Sequence, residues 1–513
     1  MPMRHQPPSL RKATMLVIAN HFESICYGVH STEDHYEMLA TDAYLDVEGP
    51  FAHMPSTVLE GLLDAVCELR VLHKKHLHIL LQPQLDSLNL SFGMGDTLYG
   101  LKVVTQRCKN LKRLDISYLR HINPNILLGL VPRFSSLVSL NLRMTLTVDQ
   151  MLASIGRNCP QLLDLNLTAT PITDRGLVLL CVGEDGQRQA QSLVRLVVAE
   201  TFVTAAGATI VLQSLARLRE FDFDQIFEVL ERLESWDAAM EKKLLHGVSV
   251  RLSEEAAPAP SYLPLTTLIS TAEQVRLSGL DAATRLCPDA TSVTLANAWL
   301  ASEDLYKFML FERLSSLSLT NSEGLTLDFH DGVLPVLATC GPRLLNLILA
   351  NFTSVDIAGI GRSCKKLRNI AMSNIAQYES FGPICNEWFT ELQALELWSD
   401  PQADLNPNMF RQLLLFCPNM QNLLFKGCEV LTDKLFTEIT EVNPMKKLSH
   451  LTLDHCHAIT GDFLHHLLNS ENELTVIRLW SCLNITKYTN SELSRRICDE
   501  NMDVYLEWFQ YEE

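Results

Sequence analysis

Residues 159–167 read Cys-Pro-Gln-Leu-Leu-Asp-Leu-Asn-Leu, and residues 417–425 read Cys-Pro-Asn-Met-Gln-Asn-Leu-Leu-Phe. Both place apolar residues at positions four, seven and nine, and the last two lie two residues apart, as one face of a β-strand requires. Between such stretches, runs such as Met151, Leu152 and Ile155 have helical spacing. Each copy therefore predicts a short strand followed by a helix. The spacing recurs at Leu85-Leu88-Leu90, Leu111-Leu114-Ile116, Leu137-Leu140-Leu142, Leu162-Leu165-Leu167, Leu193-Leu196-Val198, Leu218-Phe221-Phe223, Ala290-Val293-Leu295, Leu314-Leu317-Leu319, Leu344-Leu347-Leu349, Leu367-Ile370-Met372, Leu392-Leu395-Leu397, Met420-Leu423-Phe425, Leu448-Leu451-Leu453 and Leu474-Ile477-Leu479.

A unit of one strand and one helix cannot bury its apolar face alone, so the units must stack on one another. The expected fold is α/β, a curved solenoid with a parallel β ladder and outer helices. Several copies share a cysteine before the first apolar residue or after the strand, namely Cys108, Cys159, Cys287, Cys340, Cys364, Cys417, Cys428, Cys456 and Cys482. This arrangement resembles the cysteine-containing subclass of leucine-rich repeats, which is common in ubiquitin-ligase receptors. We expect these cysteines to be small buried hydrophobes without a redox or metal role.

The composition excludes several functional classes. Hydrophobic residues make up 47% of the chain and charged residues 20%, which excludes a disordered protein. The net charge of −18 argues against nucleic acid, because affinity for phosphates comes from clustered Lys and Arg. Fourteen cysteines in 513 residues are too few for a disulfide scaffold, so a reducing compartment is expected. No stretch approaches the ~18 apolar residues of a membrane span. A protein of the cytoplasm or nucleus is therefore expected.

Breaks in the repeat pattern divide the chain into four segments. They are residues 1–80, a helical box; 81–223, a first block of leucine-rich repeats; 224–271, a helical and Pro-rich insertion; and 272–513, a second block of repeats with a C-terminal cap. Within the insertion, Ile226, Leu230 and Leu233 predict a helix, and residues 254–264 predict a flexible loop. Residues 504–508 are expected to form the cap.

The N-terminal box opens with a predicted helix for which Ser9 is a suitable N-cap. Ser9, Leu10 and Ile18 match three of the four anchors of the elongin-C-binding box of cullin-2 receptors, S-L-x-x-x-C-x-x-x-aliphatic, and Thr14 stands where Cys is usual. Residues 21–26 are also similar to those that follow this box in the zyg-eleven and zer-one receptor family. The resemblance implies that Ser9, Leu10, Thr14 and Ile18 bind the adaptor elongin C, which pairs with elongin B.

A second helix is predicted from residue 54 onward, with a proline at its start. Met54, Pro55, Val58, Leu59 and Leu62 resemble the cullin-contacting box of the same family, in which a proline precedes spaced aliphatic residues. The resemblance implies that these residues bind cullin-2. It also implies that the protein is the substrate-recognition subunit of a cullin-2, elongin B/C E3 ubiquitin ligase, without catalysis or a cofactor of its own.

Two alternatives remain open. An F-box, which docks on a Skp-type adaptor of a cullin-1 ligase, also begins with a Pro-containing helix. However, only residues 70–84 separate this helix from the first repeat, whereas an F-box needs two further helices. The other alternative is a leucine-rich-repeat scaffold without a ligase role. Zyg-eleven-type receptors read substrates with a C-terminal armadillo-like module, and here repeats run nearly to residue 513, so that substrate preference is not carried over.

The expected substrate surface is the concave face of the C-terminal repeats, since solenoids usually bind there. Side chains between and after the strand leucines point to this face, and Trp and Arg are favoured anchors of protein interfaces. The alternative is that curvature or the cap covers them. The predicted substrate-binding residues are Glu396, Trp398, Lys426, Thr452, Asp454, Arg478 and Trp480.

A run of metal-ligand types, Asp454-His455-Cys456-His457, lies in the same region. Cys456 is a repeat position expected to point inward, while its neighbours alternate outward along an extended segment. There is no Cys-x-x-Cys pair to complete a zinc site. The sequence also has no nucleophile elbow and no Walker loop. We therefore expect neither a metal ion nor a catalytic centre.

Overall fold

The structure is a computed structural model of the 513-residue chain. It describes residues 2, 9–28, 33, 45, 47–70, 72–91, 97–183, 187–235, 260–271, 275–296, 299–321, 327–379, 383–400 and 403–510. The chain divides into two compact units between Leu265 and Thr266. Within the described ranges, no helix has the length and apolar character that a membrane crossing requires.

The first unit begins with helices that precede the repeats. They are α1 (Leu10–Asn20), α2 (Phe22–Tyr27), α3 (Ser56–Glu68) and α4 (Lys74–Leu80). Ser9 caps α1 as predicted, because its hydroxyl oxygen accepts a hydrogen bond from the backbone N–H of Lys12 at 3.3 Å. Pro55 is the N-cap residue of α3 and has no N–H to leave unsatisfied.

A ladder of parallel strands follows in the first unit. Its elements are β1 (Ser87–Asn89), α5 (Thr97–Arg107), β2 (Arg113–Asp115), α6 (Pro124–Leu130), β3 (Ser139–Asn141), α7 (Asp149–Asn158), β4 (Asp164–Asn166), α8 (Asp174–Cys181), β5 (Arg195–Val197), α9 (Ala205–Ser214), β6 (Glu220–Asp222) and α10 (Ile226–Glu234). The leucine spacing predicts the register: Leu88 pairs with Leu114, Leu114 with Leu140, and Leu140 with Leu165. These leucines are buried, and each contributes about 1.5–3 kcal/mol of transfer free energy.

The second unit continues the same architecture. Its elements are β7 (Thr267–Ser270), α11 (Leu277–Leu286), β8 (Ser292–Leu295), a 3₁₀ helix (Ser302–Leu310), β9 (Ser316–Thr320), a π-helical turn (Phe329–Val333), α12 (Leu334–Cys340), β10 (Asn346–Ala350), β11 (Ser354–Asp356), α13 (Ile357–Ser363), β12 (Asn369–Ser373), β13 (Gln377–Glu379), β14 (Ala394–Trp398), α14 (Pro407–Leu414), β15 (Asn422–Lys426), α15 (Asp433–Val442), β16 (His450–Asp454), α16 (Gly461–Asn469), β17 (Val476–Trp480), α17 (Lys487–Asp499) and β18 (Tyr505–Phe509). Apart from the small β11–β13 pair, its strands form one parallel ladder. The predicted leucine-rich-repeat solenoid is confirmed.

Asparagine and aspartate side chains end the strands β1 to β4. The Oδ1 atoms of Asn89, Asp115, Asn141 and Asn166 each accept a hydrogen bond from the backbone N–H two residues later, at 2.9 to 3.1 Å. This local bond turns the chain out of the strand direction. These strands have three residues, whereas several in the second unit have five.

The repeat cysteines are buried, as predicted. Several of the thiols point to backbone carbonyls of the preceding repeat: Cys159 Sγ lies 3.5 Å from the oxygen of Phe134, and Cys456 Sγ lies 3.4 Å from that of Phe425. Burial raises the pKa of the Cys159 thiol to about 12, so it stays protonated at neutral pH. These cysteines act as small core residues with a weak donor.

Two strands lie where the sequence pattern does not place a repeat. β7 falls inside the predicted insertion, and β18 forms the last strand of the ladder where a cap is expected. The third apolar position of β7 is the buried Ser270, and Asp503 precedes β18 where the first leucine would stand. The helix predicted from Ile226 is confirmed as α10. The predicted loop 254–264 lies outside the described residues up to position 259.

Candidate functional site

Helices α1 and α2 carry exposed apolar side chains. Leu10 is 86% exposed, Val17 is 57% exposed and Ile25 is 47% exposed. Leu10 and Val17 are seven residues apart, which is about two helical turns. We call these three residues the N-terminal stripe.

The other predicted adaptor-binding residues lie beside or within this stripe. Ser9 and Thr14 are exposed, and Ile18 is half-buried. The Thr14 hydroxyl donates a hydrogen bond to the backbone oxygen of Leu10 at 2.6 Å, so its hydrogen is already satisfied within α1. Val17 and Ile25 were not among the predicted binding residues, although the spacing of Val17 from Leu10 places these two on the same side of α1.

The opposite side of α1 is fixed to α3. The Arg11 guanidinium donates to the backbone oxygen of Thr57 at 2.7 Å, and Lys12 pairs with Glu68 at 3.3 Å. Met15 lies so close to Gly61 that a Cβ there would meet its sulfur at 2.5 Å. A close helix contact therefore positions α1 and leaves Leu10 and Val17 on its outer side.

A buried cluster holds α2 against α4. Phe22 is fully buried, with its ring centroid 4.6 Å from that of His76. Lys75 forms an ion pair with Glu23, and the Tyr27 hydroxyl donates to the backbone oxygen of Lys75 at 2.7 Å. Burial favours protonated Glu23, but the hydrogen bond and charge of Lys75 outweigh it, so the pKa of Glu23 lies below its usual value.

The residues predicted to bind cullin-2 divide into two groups. Met54 and Pro55 are exposed and Val58 is half-buried, so these three can be reached by a partner. Leu59 and Leu62 are buried in the chain's own core, so their predicted role as contacts is wrong for this conformation. An amphipathic helix buries its apolar stripe, and here that stripe faces the protein itself.

The F-box alternative requires two helices between α3 and the first repeat. In residues 72–86, all of which the structure describes, α4 is the one helix, and β1 begins at Ser87. The geometry therefore leaves no room for the third helix of an F-box in this stretch.

The predicted substrate residues lie on the strand-lined face of the second unit's ladder. They form two adjacent rows, each made of side chains that pair across neighbouring strands. One row runs through Trp398, Lys426, Asp454 and Trp480, which pair directly across β14 to β17. The Lys426 ammonium lies 3.1 Å from an Asp454 carboxylate oxygen and 5.5 Å from the centroid of the Trp398 ring. His455 approaches the other Asp454 oxygen at 2.6 Å.

The neighbouring row contains Glu396, Thr452, Arg478 and, from β18, Glu507. Arg478 Nε lies 3.2 Å from a Glu507 oxygen, and Trp480 Nε1 donates to the other at 3.3 Å. Glu396 is exposed, whereas Thr452 is buried and offers little surface to a partner. Glu507 was missed in the sequence because β18 departs from the leucine spacing.

We call the exposed side chains of these two rows the C-terminal face. Trp398 is 46% exposed, and β18 adds the exposed aromatic rings of Tyr505 and Phe509. Among the residues that the structure describes, no group of His, Cys, Asp or Glu is placed to hold a metal ion. Cys456 points into the core and the histidines beside it do not converge with it.

No protein-family model and no curated protein matches the chain. Among solved structures it is similar to the complex of Rad7 and Elc1 in yeast, with 13% identity, coverage of 94% of this chain and 96% of that chain, and a TM-score of 0.41. It is also similar to an internalin of Listeria monocytogenes, with 15% identity, coverage of 75% and 94%, and a TM-score of 0.38. A leucine-rich-repeat protein of Leptospira interrogans matches with 14% identity, coverage of 85% and 92%, and a TM-score of 0.38.

Proposed function

We propose that this leucine-rich-repeat protein is a non-catalytic substrate receptor of a cullin-2 ubiquitin ligase and docks on elongin C through the N-terminal stripe. The observation that carries the proposal is the exposure of Leu10 on a helix that is capped, fixed to α3 and contains the residues that resemble an elongin-binding box. A free apolar side chain on a rigid helix is the form in which helices bind grooves of partner proteins.

The energetics favour a small but specific contact. Burial of each aliphatic side chain of the stripe contributes about 1.5–3 kcal/mol of transfer free energy. Because α1 is already ordered, binding does not require the helix to fold first, and that lowers the entropic cost of association. Elongin B would join through elongin C, and Met54, Pro55 and Val58 are the accessible residues for cullin-2.

The receptor's contribution to ubiquitin transfer is proximity. It would hold a target on the C-terminal face and the ligase on α1, which raises the local concentration of target lysines near the charged conjugating enzyme. This role needs no catalytic group on the receptor.

Substitution of Leu10 by Asp tests the adaptor site. Capture of the purified chain on immobilised elongin B/C should fall at least tenfold, because a carboxylate replaces an apolar contact. Leu10 is the first residue of α1, where a negative charge favours the helix, so the loss cannot come from melting of α1. Leu146→Asp, at an exposed leucine of a repeat loop, is the matched control and should keep full capture.

The result separates the three functional classes. Loss of capture with an unchanged circular dichroism spectrum is the expected result. Equal capture of Leu10→Asp and the unaltered chain would overturn the adaptor site. Failure of the unaltered chain to bind elongin B/C would favour a scaffold protein without a ligase role. Binding of a Skp-type adaptor would favour the F-box alternative.

Substitution of Met54 by Asp tests the cullin contact separately. Met54 is exposed and lies outside the N-terminal stripe, so elongin B/C capture should persist. Recruitment of cullin-2 to the captured complex should fall at least tenfold, as expected when a charge replaces a buried apolar contact. Unchanged recruitment, measured by quantitative immunoblotting of the same beads, would remove this residue from the cullin interface.

A further inference from the structure

The chemistry of the C-terminal face indicates what kind of target it fits, an inference that rests on the proposed receptor function. The cations of its rows already have partners within the chain. Lys426 is paired with Asp454, and Arg478 is paired with Glu507. Each pair is neutral overall, so neither offers a free positive charge to an acidic ligand.

Among the charged residues of these two rows, Glu396 differs because it has no such partner within the described part of the chain. Its carboxylate makes no ion pair or hydrogen bond among the described residues, although it is exposed at the centre of β14. In its own row it stands between Ala371 on β12 and Leu424 on β15, neither of which can donate a side-chain hydrogen bond.

Apolar side chains lie next to Glu396, and the nearby Lys426 is already paired with Asp454. Trp398 follows it by two residues and therefore lies on the same side of the strand, and Leu424 is half-buried beside it. Ile348, on β10 in the same row, is also exposed. A protein segment that covers Trp398 and Leu424 would remove water from Glu396 as well.

A carboxylate that loses water without gaining a donor destabilises the complex, so the bound segment must supply one. We infer that the C-terminal face binds a basic segment of a target protein, in which an Arg or Lys side chain pairs with Glu396 and adjacent apolar side chains contact Trp398 and Leu424. The net charge of −18 also attracts a positively charged partner over longer distances. An acidic segment would meet the free carboxylate and no free cation.

Selection from a phage-displayed library of random heptapeptides tests this inference directly. The intact chain is immobilised, and the bound pool is sequenced in parallel with pools from Glu396→Lys and from Glu429→Lys. Glu429 is an exposed carboxylate in the turn after β15, so it controls for the change in net charge. We expect the intact chain and Glu429→Lys to enrich Arg or Lys next to apolar residues, and Glu396→Lys to lose that enrichment and gain Asp or Glu.

The best enriched peptide then gives a quantitative measurement. Its affinity for the chain can be measured by fluorescence anisotropy. The affinity should fall at least tenfold for Glu396→Gln, which is the loss expected for a charge-assisted hydrogen bond, and at least tenfold for Trp398→Ala as well. Enrichment of acidic or purely apolar peptides on the intact chain would overturn the inference, as would basic peptides that bind Glu396→Lys equally well. Elongin B/C capture by Glu396→Lys should be unchanged, so failure of the adaptor site is detected independently.

Discussion

At the scale of single residues, the ion pair of Glu23 and Lys75 determines how firmly α2 is held. The Lys75 side chain is 2% exposed and that of Glu23 is 27% exposed. Glu23→Gln removes a carboxylate charge that lies against the buried Lys75 ammonium ion, which costs about 1–3 kcal/mol after allowance for the partial exposure of Glu23. We expect the free energy of local opening of α2 and α4, measured by amide hydrogen exchange at neutral pH, to fall by this amount.

The lowered pKa of Glu23 gives this effect a pH dependence. The folded carboxylate binds a proton more weakly than the unfolded one, so its contribution is complete above the unfolded pKa of ~4.3 and is lost as the pH falls through the folded pKa. The difference between the two chains should therefore shrink below about pH 4. Glu68→Gln removes an exposed pair with Lys12 and should change opening by less than about 0.5 kcal/mol. A Glu23 effect that persisted undiminished in acid would contradict this account.

At the scale of elements, aspartates join successive helices. The carboxylate of Asp174, the first residue of α8, accepts hydrogen bonds from the backbone N–H and the hydroxyl of Thr204, both at 2.7 Å, and Thr204 in turn caps α9. Asp149 binds Thr173 in the same way. Asp174→Ala should lower the free energy of opening of α9 by about 1–3 kcal/mol, again measured by hydrogen exchange.

Asp462 provides the control for that prediction. It lies in the first turn of α16 and, in the described part of the chain, its carboxylate makes no bond to the next repeat. Asp462→Ala removes a favourable interaction with the helix dipole alone, about 0.3–1 kcal/mol. Equal losses in the free energy of opening for the two substitutions would show that the bond between repeats adds no stability beyond that from the charge at the helix end.

The elements also show what a sequence can and cannot reveal. Leucine spacing predicts strand positions because a buried residue every second position leaves a pattern that few other structures share. The same reasoning fails at β7, where the small Ser270 fills a core position that the pattern expects to be apolar. At the candidate site, the same reasoning selected both the exposed Leu10 and the buried Leu59, because an apolar helical stripe looks alike whether it contacts its own chain or a partner.

At the scale of the whole molecule, the two proposed sites belong to different units. The N-terminal stripe lies in the unit that ends at Leu265, and the C-terminal face lies in the unit that begins at Thr266. A receptor works only when one chain holds ligase and target together, since the gain in effective concentration requires a covalent connection between the two sites.

This connection predicts a failure of complementation. The Leu10→Asp variant should still bind the selected basic peptide but no longer bind elongin B/C. The Trp398→Ala variant should still bind elongin B/C but no longer bind the peptide. With elongin B/C immobilised, the unaltered chain should retain a fluorescent form of the peptide on the beads, whereas an equimolar mixture of the two variants should retain at most about a tenth as much, because no single chain bears both sites. If the mixture retained nearly as much peptide as the unaltered chain, the two variants would have to associate with each other. A single chain would then not be the sole link between elongin B/C and the peptide.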